Sequence, residues 1–222
     1  MPITKQLKYL ISKNIKNRQT YLETGVFKGE SINEILDLNF ESVIGIECNS
    51  EYVKNLKNKF SKFKNVKIIS GFSQILLEEI LQKNIHCNCI YLDAHGHVSN
   101  NNIEKHSPLL SELKIIKKYY NKVDLIIIDD YKFIADNLTT GSTDSWIGKL
   151  NIEEIMAISK SIYGSETQCF EYKYFYRSFR KRMENSYLII GKDLKFKTPH
   201  LYNFLNIFYI KFLKNIINKF LS

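Results

Sequence analysis

Residues 20–31, TYLETGVFKGES, decide how this chain folds. The run opens with good strand formers, passes through a short loop bracketed by Gly25 and Gly29, and takes helical spacing over residues 31–38. Glycine lets a backbone turn tightly or approach a ligand closely, so this strand, loop and helix can hold the polar part of a nucleotide-like cofactor. The dinucleotide-binding fingerprint of three glycines is absent, so a tight turn of an ordinary α/β domain is the alternative interpretation.

The next segment favours a nucleoside ligand. Residues 41–48, ESVIGIEC, form an apolar run rich in β-branched residues, which predicts a strand ending in Glu47. This acidic residue follows the glycine loop by about twenty positions, where a carboxylate can accept hydrogen bonds from ribose hydroxyls. Two consecutive segments therefore agree on one kind of ligand.

Together the two segments resemble the class I S-adenosylmethionine-dependent methyltransferases. In that family the first loop holds the methionine part of the cofactor, an acidic residue ending the second strand holds the ribose, and the loop after the third strand lies beside the adenine. For Ser73, capping the helix predicted over residues 74–82 is an equally good interpretation. The cofactor contacts that the resemblance implies are Glu23, Thr24, Gly25, Phe27, Gly29, Ser31, Glu47, Cys48, Gly71, Phe72, Ser73 and Asp93.

Strands and helices alternate along the first half of the chain, which predicts a parallel sheet with helices on both faces. The predicted strands are residues 20–24, 41–48, 65–70, 89–92 and 124–128, and the helices between them are 31–38, 50–60, 74–82 and 108–120. Residues 169–176 and 186–191 add a terminal pair joined by a basic turn with Arg177, Arg180, Lys181 and Arg182. We therefore predict an α/β fold with a Rossmann-like seven-stranded methyltransferase sheet, mostly parallel with an antiparallel terminal strand.

Length and composition predict a single domain. The chain has 222 residues, 44% of them hydrophobic, and no linker rich in Pro, Gly or Ser. We assign residues 1–195 to the methyltransferase domain, with a leading amphipathic helix in 1–19, and residues 196–222 to a basic amphipathic C-terminal helix. Cys48, Cys87, Cys89 and Cys169 match no zinc or disulfide framework, which favours reduced thiols in a cytoplasm. The charged N-terminus is typical neither of a signal peptide nor of a membrane span.

Three carboxylates end two neighbouring predicted strands: Asp93, and the pair Asp129 and Asp130. Hard oxygen ligands of this kind suit Mg²⁺ or Ca²⁺. The motifs IYLDAHGH and LIIIDDY resemble the metal-dependent sugar O-methyltransferases of the macrocin O-methyltransferase type. The resemblance implies that the three aspartates bind Mg²⁺, which orients two sugar hydroxyls beside the methyl donor. An aspartate at a strand end is also a common helix cap, and that alternative stays open.

One position departs from the pattern of that family. The family reads Leu-Asp-Gly-Asp, with the second aspartate as general base, whereas this chain has His95 at that place. A histidine titrates near neutrality and can take a proton from a hydroxyl, so we assign catalytic roles to His95 and Asp93. Alternatively, His95 supports the metal site without acting as a base, or it is an ordinary loop residue. The Asp-Ala-His motif also occurs in relatives encoded near polysaccharide genes, which favours a glycan acceptor.

Positive charge is concentrated near the C-terminus. From Lys173 onward eleven basic residues face two acidic ones, so this part carries the whole net charge of +9. Such asymmetry predicts a surface for an anionic membrane, nucleic acid or phosphorylated substrate. Residues 201–222 predict an apolar helix with lysines on a narrow polar face, which suits a membrane interface, a homodimer interface or packing on the domain itself.

These patterns favour a cytoplasmic O-methyltransferase that uses S-adenosylmethionine and Mg²⁺ to methylate a sugar hydroxyl of a glycan, peripheral at the membrane surface if the tail binds lipid. Two other classes of function also fit parts of the sequence. A nucleic-acid methyltransferase fits the basic C-terminal third, but neither an Asn-Pro-Pro-Tyr-like motif nor an aromatic and basic RNA-binding module occurs, so nucleic acid is the less favoured partner. A non-catalytic nucleotide-binding domain recruited to membranes by its tail is the other.

Overall fold

The computed structural model describes residues 3–94, 107–139, 150–178 and 181–195. These ranges contain seven α-helices and seven β-strands, joined in part by short 3-10 turns. The helices are α1 (Lys5–Asn14), α2 (Glu30–Ile35), α3 (Ser50–Lys59), α4 (Ser73–Gln82), α5 (Leu109–Lys118), α6 (Tyr131–Thr139) and α7 (Ile152–Ser159). The strands are β1 (Thr20–Thr24), β2 (Ser42–Glu47), β3 (Val66–Ser70), β4 (Cys87–Leu92), β5 (Val123–Ile128), β6 (Gln168–Ser178) and β7 (Lys181–Gly191).

All seven strands form one sheet in the order β3-β2-β1-β4-β5-β7-β6. The first five strands pair in parallel, and β7 runs antiparallel to both β5 and β6. The Rossmann-like methyltransferase fold predicted from the sequence is confirmed. The strand order reverses between β1 and β4, and in such sheets a crevice for ligands opens at that point, beyond the carboxyl ends of the strands.

Helices cover both faces of the sheet, as its doubly wound pattern requires. Helices α1, α2 and α3 bury Leu7, Ile32 and Leu56 against one face, and α4 to α7 bury a second apolar layer on the other. The strands alternate between the two layers: Tyr21 belongs to the first cluster and Leu22 to the second. This alternation decides which strand-end side chains point toward which layer.

Several predicted boundaries are wrong by a few residues. The prediction of Ser73 as the cap of α4 is wrong, because the helix begins at Ser73 and Phe72 occupies the cap position without a side-chain hydrogen bond. The predicted first helical residue of α5, Pro108, is instead its cap residue, while the Ser107 hydroxyl accepts a hydrogen bond from Leu109 N. Asn151 caps α7, since its Oδ1 accepts hydrogen bonds from the backbone N–H groups of Glu153 and Glu154.

The terminal hairpin is longer than its sequence pattern predicts. Arg177 pairs with Arg182 and Ser178 with Lys181, so residues 177, 181 and 182 belong to the strands rather than to a wide basic turn. Cross-strand pairing continues through charged positions because each backbone N–H and C=O finds a partner regardless of the side chain it carries.

Candidate functional site

The candidate site lies at the carboxyl edge of the sheet, where β2, β1, β4 and β5 end side by side. These strands end in or just before Glu47, Thr24, Asp93 and Asp129. Backbone hydrogen bonds continue beyond the strands, since Asp93 N donates to Thr24 O at 3.1 Å and Asp129 N donates to Leu92 O at 3.0 Å. The strand ends at which the sequence predicted ligand-binding residues are therefore neighbours in the sheet.

Gly25 lies directly against the backbone that follows β4. Its φ is +74°, and a Cβ at this position would stand 2.4 Å from Asp93 O and 2.6 Å from Ala94 Cα. Its N–H donates to Ile46 O at 2.9 Å, which ties the loop to β2 as well. Only glycine combines this backbone conformation with so close an approach. The loop after β1 is thus fixed to both of its neighbours in the sheet.

The rest of the glycine loop packs on α3. Gly29 has φ of +69°, and a Cβ there would stand 2.7 Å from atoms of both Leu56 and Phe60, so packing alone explains this glycine. Phe27 is 44% exposed and its ring contacts Tyr52 edge-on, with centroids 4.8 Å apart. Cofactor contacts at Phe27 and Gly29 stay predictions.

Glu47 is held in a fixed orientation at the end of β2. Its Oε2 accepts a hydrogen bond from Phe27 N at 2.8 Å, and its Oε1 accepts one from Asn49 N at 2.8 Å. A carboxylate oxygen has two acceptor positions, so each oxygen keeps one for a further donor. Glu47 can therefore accept two ligand hydroxyls without losing its own anchors. The neighbouring Cys48 is exposed.

Glu23 is a buried residue near the end of β1. It is 1% exposed, and its Oε2 accepts a hydrogen bond from Tyr21 OH at 2.8 Å. Burial raises the pKa of Glu23 to about 8, against the opposing effect of the Tyr21 hydrogen bond. The side chain is accordingly a neutral acid at neutral pH. A cofactor contact of Glu23 stays a prediction.

The three aspartates predicted to bind a metal interact electrostatically. Burial and the charge of Asp129 raise the pKa of Asp93 well above its usual value, with further contributions from Asp130 and Glu23. The pKa of Asp129 is raised to about 6 by burial and by the charge of Asp130. Like charges are thus close enough at this edge to oppose the ionisation of one another.

Both carboxylate oxygens of Asp129 already accept hydrogen bonds from other residues. Its Oδ2 accepts from Tyr91 OH at 2.6 Å, while its Oδ1 accepts from Tyr174 OH at 3.2 Å and from Asp130 N at 2.7 Å. Asp130 adopts φ of +52°, and its Oδ1 accepts a hydrogen bond from Asn185 Nδ2. The partners come from β4, β6 and β7, so the acidic pair joins the hairpin to the centre of the sheet.

The metal site predicted from the sequence is not formed by the side chains as they stand. In residues 3–94, 107–139, 150–178 and 181–195, no three His, Cys, Asp or Glu side chains are arranged to hold a metal ion. Asp93, Asp129 and Asp130 share one edge, as predicted, but two of them are engaged by neighbouring side chains. Their convergence on an ion therefore requires side-chain rearrangement.

The two residues that follow Gly71 after β3 differ in exposure. Gly71 N donates to Glu47 O at 3.0 Å, which fixes the loop beside β2. Phe72 is 38% exposed, whereas Ser73 is 6% exposed and faces the interior. Of the three residues predicted to lie near adenine, Phe72 offers an accessible aromatic surface.

The sequence did not indicate Glu112, Tyr91, Tyr174 or Asn185. Glu112 is fully buried in α5, and burial raises its pKa to about 7 against the weak opposing effects of the Ser73 and Thr24 hydroxyls. One signal was available for Glu112, since helical spacing puts it among the apolar residues Leu109, Leu113 and Ile116. The other three depend on strand pairing, which no local pattern reveals.

The described residues form a cleft at each of two opposite edges of the sheet. A small one of about 30 Å³ opens at the carboxyl edge. A larger one of about 520 Å³ lies where β5 begins and β7 ends, and no predicted site residue lines it. We assign the candidate site to the small cleft because it joins the glycine loop to the acidic cluster. Its lining residues are Val26, Phe27, Lys28, Glu30, Ser31 and Asp93.

Several predicted features lie outside the described residues. They are His95, Arg180 and the tail from residue 201. Within the described ranges, no helix has the length and apolar character needed to cross a membrane.

Comparison with known proteins identifies the fold. An O-methyltransferase from Bacillus cereus in complex with S-adenosylhomocysteine (SAH) matches with a TM-score of 0.59, over 86% of this chain and 82% of its own, at 11% identity. The SAH-bound methyltransferase PaMTH1 of Podospora anserina matches with a TM-score of 0.52, over 86% and 80%, at 14% identity. A Clostridium thermocellum protein named as an rRNA methylase matches with a TM-score of 0.57, over 86% and 100%, at 13% identity. No protein-family model and no curated protein matches the sequence.

Proposed function

We propose that this protein transfers the methyl group of S-adenosylmethionine to an oxygen atom of an acceptor. The observation that carries the proposal is Glu47, which is anchored by two backbone N–H groups and keeps one acceptor position on each oxygen. A ribose presents two adjacent hydroxyls to such a carboxylate. The glycine loop fixed against β4 supplies the neighbouring surface for the methionine part. Methyltransferases bound to SAH that share the fold support the choice of cofactor.

The proposed reaction needs an acceptor for one proton. The acceptor oxygen attacks the methyl carbon, the new C–O bond forms as the C–S bond breaks, and SAH leaves while the hydroxyl proton passes to a base. Asp93 lines the small cleft beside the glycine loop, and burial together with the charge of Asp129 raises its pKa, which makes its carboxylate a stronger base. His95, two positions further along, is the second candidate base in our proposal.

Dependence on a divalent cation is part of the proposal. The aspartates 93, 129 and 130 fit a small hard cation in number and charge, and the repulsion that raises the pKa of Asp93 would be relieved by a cation. When bound, such an ion would lower the pKa of an acceptor hydroxyl. We expect donor turnover to stop in excess EDTA and to return with Mg²⁺. Full turnover in EDTA, or full turnover of Asp130→Asn, would contradict this part of the proposal.

For the acceptor we propose a sugar hydroxyl of a glycan. The basis is the likeness of the strand-end aspartates to those of sugar O-methyltransferases, as described from the sequence. Methylation of a nucleic acid is the second candidate, because the C-terminal part carries the whole net positive charge and a protein named as an rRNA methylase shares the fold. Incubation with labelled donor and either total RNA or cell-envelope glycans separates the two acceptors by the fraction that takes up label.

Titration calorimetry with SAH tests the proposal directly. Wild-type protein should bind SAH, and Glu47→Ala should weaken binding by about 1–3 kcal/mol, the range for hydrogen bonds to a charged acceptor. Glu51→Ala, which changes an exposed residue of α3 close to Glu47 in the chain, is the matched control. Equal affinity of the wild type and Glu47→Ala would remove Glu47 from the site, and failure of the wild type to bind would overturn the proposed cofactor.

A further inference from the structure

Glu112 is an unusual residue for the core position that it occupies. It lies on the face of α5 that carries Leu109, Leu113 and Ile116 into the interior, and it has no exposed surface. Neither of its carboxyl oxygens has a hydrogen-bond partner of normal geometry. Buried polar groups are nearly always paired, because an unpaired one loses its hydration without compensation. An exception at this depth calls for a reason other than stability.

The neighbours of Glu112 supply that reason. The hydroxyls of Ser73 and Thr24 are close enough to the carboxyl group to lower its pKa slightly, against the larger effect of burial. Thr24 Oγ1 is itself buried without a hydrogen-bond partner. Thr24 immediately precedes Gly25, and Ser73 immediately follows the loop at Gly71 and Phe72. The strands that lead into these two loops, β1 and β3, are separated by β2 in the sheet. A single carboxyl group thus reaches both of the loops proposed to bind the cofactor.

We propose that Glu112 is a positioning residue, which fixes the glycine loop through Thr24 and the loop after β3 through Ser73 in the geometry that binds the cofactor. Each hydroxyl has one proton to donate and the carboxyl group has two oxygens, so the group offers one acceptor to each loop, although neither contact has hydrogen-bond geometry in this structure. Glu112 acts through these hydroxyls, since its own oxygens are not accessible. The inference rests on the proposed function, because it concerns the affinity for that cofactor.

A positioning role and a purely structural role predict opposite results for an apolar replacement. Glu112→Leu removes an unpaired buried carboxyl group from an apolar layer, which leaves stability unchanged or increases it. If Glu112 positions the loops, the same change should weaken the binding of SAH. A structural residue would instead lose stability and affinity together. The sign of the stability change therefore separates the two roles.

The experiment measures SAH affinity by calorimetry and the melting temperature by scanning calorimetry on the full chain. For Glu112→Leu we expect binding about tenfold weaker than that of the wild type, which corresponds to about 1.4 kcal/mol. The melting temperature should be unchanged or about 3 °C higher. Glu112→Gln keeps two polar atoms at the same place and should bind SAH within about threefold of the wild type.

Ser159→Ala is the matched control, since Ser159 Oγ is also buried without a partner and lies on α7, which packs on α5 away from both loops. It should leave SAH affinity unchanged, and a loss as large as that of Glu112→Leu would overturn the inference. Unchanged affinity in Glu112→Leu, or a joint fall of affinity and melting temperature, would also overturn it. If Glu112→Leu does not fold, Glu112→Met replaces it, with the same criteria. A wild type that does not bind SAH would overturn the proposed function and this inference together.

Discussion

At the scale of single residues, buried acids are the main feature of this molecule. Glu23, Asp129 and Glu112 are almost or fully inaccessible, and burial raises the pKa of each. A carboxyl group whose pKa is higher in the folded than in the unfolded state binds its proton more tightly when folded. Its stabilising contribution is complete below the unfolded pKa and is lost as the pH rises to the folded value.

This linkage gives a prediction for Glu23, whose pKa rises from 4.5 to about 8. Wild-type stability should fall as the pH increases from 5 to 8, because the neutral buried acid is progressively forced to ionise. Glu23→Gln cannot ionise and should show a smaller fall, with a melting temperature above that of the wild type at pH 8. Scanning calorimetry at several pH values measures both, and Glu79→Gln, an exposed change on α4, serves as the control. A Glu23→Gln profile parallel to that of the wild type would contradict the assignment.

At the scale of elements, the terminal hairpin is joined to the sheet through side chains as well as strand pairing. Tyr174 of β6 reaches across β7 to Asp129, and its ring stacks on Tyr187 with centroids 4.4 Å apart. Tyr91 of β4 binds the other oxygen of the same carboxylate. The acidic pair at the end of β5 therefore joins strands on either side of it.

Removing these hydroxyls tests the connection. Tyr91→Phe and Tyr174→Phe keep the rings but withdraw one hydrogen bond each from a buried carboxylate, so each should lower the free energy of unfolding by about 1–3 kcal/mol. Tyr172→Phe, on the same strand as Tyr174 and only partly buried, should change it by less than about 0.5 kcal/mol. Urea denaturation gives these values. Effects of equal size for Tyr172 and Tyr174 would show that the contact with Asp129 is not the cause.

Local patterns predicted the elements well and their partners poorly. The run TYLETGVFKGES and the strand ending in Glu47 were identified because period, turn residues and strand length are properties of neighbouring positions. The contacts of Asp129 and Asp130 with Tyr174 and Asn185 span 45 and 55 positions, so they depend on a pairing register that the sequence does not state. The prediction of Ser73 as a helix cap failed for a related reason, because the packing that buries its side chain and starts α4 at this residue involves distant parts of the chain.

At the scale of the whole molecule, the basic surface and the candidate site lie at opposite edges of the sheet. The acidic cluster lies at the carboxyl edge of the sheet, whereas Lys13, Lys16, Lys192 and Lys195 line the larger cleft at the opposite edge. The tail beyond residue 195 carries further lysines. We propose that residues 201–222 bind an anionic membrane surface, with self-association and packing on the domain as the alternatives.

Co-sedimentation tests this proposal. The intact protein should pellet with vesicles containing anionic lipid at low salt and be released at high salt, because each lysine near the surface contributes about 1 kcal/mol that salt screens. Deletion of residues 201–222 should abolish pelleting while SAH binding is retained. Neutral vesicles provide the control. If the intact protein stays in solution at low salt, and the deletion lowers the molecular mass in light scattering, the tail is a dimer interface instead.

The close approach of Gly25 to the backbone after β4 also limits which mutations the protein tolerates. Every missense change in a glycine codon introduces a side chain with a Cβ, and at position 25 that atom would overlap a main-chain carbonyl, which has no rotamer through which to move away. Gly164 also has a positive φ, of +62°, yet nothing lies within 4 Å of its Cβ position, so Asn, which tolerates that conformation, can replace it. We therefore expect any substitution at position 25 to displace the backbone after β4, whereas Gly164→Asn should be tolerated.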